Sequence, residues 1–122
     1  RQAADTNYAF GQYHYALQLI EQGDRGREAL AVLEDAASQG FFLAENLLGA
    51  ALFQGQWTAR DLAGAEDLLQ RSADQGYREA MFNLAIIKLS RGDAEASADA
   101  QALLERAAAL GDDAAADYLR GG

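Results

Sequence analysis

The one histidine of the chain, His14, stands in a Tyr13-His14-Tyr15 run, and histidine alone has an unperturbed titration close to neutral pH. Nucleophilic catalysis asks for more: a nucleophile, a base beside it and a third group that orients the base. Cysteine is absent, and serine occurs only at Ser38, Ser72, Ser90 and Ser97. Three of these fall near predicted helix ends or in loops, where a hydroxyl commonly serves the backbone. The chain therefore reads as a non-enzyme. Catalysis through His14 is the alternative it leaves, and packing or a place on a surface is the expected role.

A metal site needs several ligands of matched type held close together. No two histidines exist to pair, and Asp112-Asp113 with Asp117 lack the loop glycine and spaced oxygens of a calcium site. These acids read as solvated charge at the N-terminus of the last helix, where the helix dipole favours it. Gly23-Asp24-Arg25-Gly26 has no strand before it and no Lys-Ser or Lys-Thr after it, so it is not a phosphate loop. Glu34-Asp35 and Glu66-Asp67 fall on the exposed sides of their helices. No catalytic residue, metal or cofactor is expected.

The elements that would position any site are helices. Proline is absent from all 122 residues and alanine and leucine dominate an apolar half of the chain, a helix-favouring and strand-poor composition. No apolar run reaches the length of a membrane span, so no direct membrane insertion is expected. With 19 Asp plus Glu against 10 Lys plus Arg, the chain lacks the basic residues that nucleic acid or an anionic membrane surface would demand. A partner with a basic surface would be favoured in the encounter, although excess carboxylate also simply confers solubility. Without cysteine the redox compartment is undecided. The opening Arg1 predicts a processed or trimmed product.

A repeat organises the helices. The segments from Ala29 to Gly40, Ala65 to Gly76 and Ala100 to Gly111 align on their final glycines, 36 and 35 residues apart, and an alanine follows each glycine by four, at Ala44, Ala80 and Ala115. Apolar residues at 29, 32, 33, 36 and 37, and at the matching places of the other two segments, lie on one helical face. The glycine ends each helix in the left-handed conformation. Ala44 to Gln54 and Ala80 to Arg91 read as the partner helices, stopping at Gly55 and Gly92, and Thr6 to Gln22 as the first. Asp61, Asp24 and Asp99 are candidate N-caps. One such helix pair cannot bury its own stripe, so consecutive pairs must stack. The expected fold is all-α: a right-handed α-solenoid of antiparallel helix pairs in one domain, with about three repeats at 6–40, 41–76 and 77–111 and a capping helix at 112–120. That last segment reads equally as the first helix of a further unit.

These residues resemble the Sel1-like repeat (SLR) family, a branch of the tetratricopeptide superfamily. The middle repeat carries the match at Ala44, Leu48-Gly49, Leu52, Gly55, Asp61, Ala65, Leu68-Leu69, Arg71, Ala73 and Gly76. The third carries it at Ala80, Leu84-Ala85, Leu89, Gly92, Ala100, Leu103-Leu104, Arg106-Ala107-Ala108 and Gly111. The first repeat matches in its second helix, and Trp57-Thr58 replaces the family's Gly-Val loop pair. The resemblance implies a protein-interaction scaffold. It also implies, from the bacterial members, a periplasmic or exported location, with an immunity or inhibitor protein of an exported toxin as a more specific alternative.

The resemblance further implies that the first helix of each pair lines a concave face. Carried through Leu17, Gly49 and Ala85, it places His14 and Gln18, then Asn46, Ala50 and Phe53, then Phe82, Ile86 and Leu89 on that face. Trp57 in the middle loop is the candidate anchor, since tryptophan is enriched among interface hot spots. Each of the apolar members has packing between units as its competing role. A protein or peptide partner is expected.

Overall fold

The computed structural model describes residues 3–121, so Arg1 and the expectation attached to it lie outside the described residues. The described helices are α1 (Ala3–Glu21), α2 (Gly26–Ser38), α3 (Phe42–Gln54), α4 (Leu62–Asp74), α5 (Arg78–Arg91), α6 (Ala94–Ala109) and α7 (Asp113–Leu119), with no strand among the described residues. Each helix packs on the next, α1 with α2, α3 with α4 and α5 with α6 forming pairs, and α3 also touches α5. The architecture is the right-handed α-solenoid of antiparallel pairs that the spacing predicts.

The repeat is visible as a repeated burial. Ala29, Ala65 and Ala100 are fully buried, as are Leu33, Leu69 and Leu104, and so are Ala44, Ala80 and Ala115 on the facing helices. Alanine at the crossing points lets backbones approach, and one leucine per second helix fills the space that remains. Ser72 takes the place that Ala36 and Ala107 hold in the other units; its hydroxyl donates to the Phe42 carbonyl at 2.9 Å, which satisfies an otherwise costly buried group.

The chain turns from one pair to the next by the same device each time. Gly40, Gly76 and Gly111 have φ of 82°, 92° and 97°. The following residues, Phe41, Tyr77 and Asp112, return to extended backbone with ψ of 114°, 111° and 114°. Each of these three amides donates back to the carbonyl five residues earlier, at Ala36, Ser72 and Ala107, closing the helix end.

Several local expectations are corrected. Asp61 caps α4, but the other side-chain caps are Asp93 on α6 and Asp112 on α7, each accepting the amide three residues on, at 2.7 and 2.9 Å. Asp99 lies inside α6, because Asp93 directly after Gly92 starts the helix six residues earlier; Asp99 is 3.8 Å from Lys88 instead. Asp24 does not cap α2. Arg25 occupies that position without a side-chain cap and pairs with Glu28 at 2.8 Å. Asp112 is 8% exposed rather than solvated. Glu66 is also half-buried, where Lys88 and Arg91 both reach it.

Candidate partner-binding face

A row of rings runs from α1 through the start of α3 to the start of α5, the helices expected to line the concave face. Tyr13 of α1 meets Phe41 at 5.9 Å between centroids, Phe41 meets Phe42 at 5.5 Å, and Phe42 meets Tyr77 at 5.1 Å, all edge-on. Phe10 joins this row against Phe41 at 6.0 Å and against His14 at 4.3 Å. The row exists because the residue after each inter-repeat glycine is aromatic in the first two junctions and leans on the first helix of the preceding unit. Edge-to-face geometry is the favoured contact between rings, since it brings a positive edge to a negative face.

The residues carried onto this face differ in their freedom. His14 and Gln18 are exposed, while Ala50, Phe53, Phe82, Ile86 and Leu89 are half-buried. Phe53, Phe82 and Leu89 pack against the α4–α7 core with part of their surface. Arg60 lies over the Phe53 ring at 5.1 Å and donates to the Phe53 carbonyl at 2.8 Å. Asn46 is only 9% exposed, and its amide oxygen accepts from Asn83 at 3.0 Å, which cross-links α3 to α5.

Trp57 stands apart from this set. Its backbone takes φ of 68°, uncommon for a bulky residue. Its indole lies so close over Gly26 at the start of α2 that a Cβ there would overlap the ring. It packs on the core of the first unit and lines a shallow cleft with Gly23–Glu28, shared with none of the other candidate residues. The loop tryptophan is thus a strut from the second unit onto the first.

Several participants lie outside the sequence-derived set. Phe10 is 47% exposed, and Tyr8 and Tyr15 are likewise exposed on α1. Phe10 stands four residues before His14, a spacing that places both on one side of a helix, so the signal was present beside the Tyr-His-Tyr run. Tyr77 follows Gly76 as Phe41-Phe42 follow Gly40, a position that points to packing between units, and Tyr13 stands beside His14 in that run. The Tyr77 hydroxyl is pushed up to about 12 by burial first and then by the Glu79 carboxylate beside it; Tyr13 is raised by burial and by the same carboxylate. Glu79 therefore sits at the end of the aromatic row, beside hydroxyls from two units. No group of three His, Cys, Asp or Glu that could hold a metal occurs among the described residues, and no helix there is long and apolar enough to cross a membrane.

Two solved structures are similar over nearly the whole chain. A Sel1 repeat protein from Oxalobacter formigenes shares 25% identity at a TM-score of 0.81, covering 98% of this chain and 92% of its own. The protein c5321, a protective antigen present in uropathogenic Escherichia coli strains and displaying an SLR fold, shares 26% identity at a TM-score of 0.82 over 93% of this chain. This chain spans 27% of the length of that second protein. No family profile matches the chain, and no curated protein matches it in sequence.

Proposed function

We propose that the chain, whose fold is similar to that of Sel1 repeat proteins and whose glycines and alanines keep the register of such repeats, holds a partner protein against a face formed by α1, α3 and α5. The single observation that supports this reading is the row of rings from the half-exposed Phe10 through Phe41 and Phe42 to the half-buried Tyr77. Water opposes leaving such surface uncovered, and contiguous apolar patches on soluble domains mark interfaces. His14, Gln18, Ala50 and Ile86 complete the surface between the rings. Trp57 enters as the strut that holds the first two units in register, and Asn46 as the cross-link between α3 and α5.

The test is capture of the native partner from an extract of the source cell, with wild-type chain and with a Phe10→Ala, His14→Glu, Gln18→Glu triple variant. All three positions are exposed, so the helical circular-dichroism signal should be unchanged. Covering the Phe10 ring contributes roughly 1.5–3 kcal/mol, so capture should weaken by about tenfold or more. Capture at wild-type strength would discard this face. If the captured partner is an exported toxic enzyme that the chain inhibits, the scaffold is an immunity protein, for which the excess of 19 acidic over 10 basic side chains is the supporting feature.

A further inference from the structure

Next along the chain from Tyr77, the last ring of the row, a cleft of about 430 Å³ lies between the starts of α5 and α7, and its walls include Arg78, Glu79, Phe82, Asp112 and Asp113. Two of its charged groups are already engaged. The Arg78 guanidinium donates to the Leu110 carbonyl at 2.8 Å, and the Asp112 carboxylate accepts the Ala115 amide at 2.9 Å. Glu79 and Asp113 are exposed, and neither has an ion-pair partner among the described residues. One arginine against three carboxylates leaves the cleft with an excess of two negative charges. Phe82 offers an apolar wall within it, and Tyr13 and Tyr77 flank Glu79.

We infer that this end of the groove receives a lysine or arginine side chain from an extended segment of the partner, its alkyl stem on Phe82 and its charged head at Glu79 and Asp113. An acidic segment would meet like charge here. A wholly apolar segment would cover the Glu79 carboxylate without pairing it, which costs free energy. A cationic side chain neutralises the carboxylates, and aromatic rings attract it through their negative faces. Its long stem uses the apolar wall that a small cation would leave unfilled. Tyr13 and Tyr77 are neutral phenols at neutral pH, so the two hydroxyls add no competing charge.

This inference rests on the binding face proposed above, and the probe is a random extended-peptide library selected on immobilised chain. Wild-type chain should enrich sequences with a Lys or Arg flanked by apolar residues. Changing Glu79→Gln and Asp113→Asn together should weaken the selected peptides by about tenfold or more, an effect that salt reproduces. Enriched sequences without Lys or Arg, no enrichment at all, or binding unchanged by the double variant would overturn it. The two failures are separable. Enrichment that responds to Phe10→Ala and Phe82→Ala but not to the charge variants keeps the face and removes the cation. Enrichment that ignores all four substitutions removes the face itself.

Discussion

The junctions after Gly40 and Gly76 and the junction after Gly111 share one backbone and are filled in opposite ways. In the first two, the glutamine before the glycine reaches back to the first helix of its own unit: Gln39 donates to Gln12 at 2.9 Å and Gln75 to Glu45 at 2.6 Å. The residue after the glycine is an aromatic leaning on the unit before. In the third, Leu110 replaces the glutamine and is exposed, its carbonyl held by Arg78, while Asp112 replaces the aromatic and caps α7. The turn itself is therefore set by glycine and by alanine packing, and the flanking residues are free to serve either burial or charge. That freedom makes the first two junctions aromatic and the third acidic.

If this division is right, the two kinds of junction should fail differently. The largest effect is expected for Phe41→Ala, whose ring is 8% exposed; deleting a buried ring costs roughly 3–5 kcal/mol, read as a lowered midpoint in urea. Gly76→Ala and Gly111→Ala come next, at about 1–2 kcal/mol each. Their φ values of 92° and 97° forecast near-equal backbone strain, and a modest excess at Gly111 is expected because its added Cβ would come 3.0 Å from the Arg78 guanidinium. Asp112→Ala should cost about 1 kcal/mol, with most of it recovered in Asp112→Asn, which still accepts from the Ala115 amide. A loss at Asp112 as large as that at Phe41 would erase the distinction between the junctions.

How much of this was legible beforehand follows from what each feature depends on. The alanine stripe at 29, 65 and 100 and the glycines at 40, 76 and 111 report helix faces and ends directly, because period and backbone conformation are local properties. The stacked pairs and their order follow from them. Helix starts were less legible: several aspartates compete for each cap, and Asp93 prevailed over Asp99 through its place beside Gly92. The contacts that join α1, α3 and α5 were not legible. Asn46 and Asn83 are 37 residues apart in sequence, and nothing in either predicts that the pair meets. Trp57 was read as an anchor because its type suits one, whereas the absent side chain of Gly26 gives it a seat within the molecule.

Glu45 gives the smallest of the expected effects and separates the second junction from the third by pH. It is a carboxyl on α3 that is 2% exposed, with Gln75 donating to it. Burial raises its pKa, while the Arg71 charge and the Gln75 hydrogen bond partly offset that. A carboxyl raised in the folded state binds its proton more tightly there than in the unfolded chain. Its contribution to stability is then fully present below the unfolded pKa and is lost as pH rises through the folded one. Glu45→Gln cannot ionise and keeps an oxygen for Gln75, so its stability relative to wild type should improve as pH is raised from the acidic side of the carboxylate range to neutrality. Gln75→Leu, which copies the Leu110 arrangement, removes the donor that holds the ionised form and should therefore cost more at neutral pH than in acid. Urea midpoints of the three proteins across that range check both signs. A wild-type advantage over Glu45→Gln that grows toward neutral pH would mean that Glu45 is stabilised as an anion, and the second junction would then rest on charge as the third does.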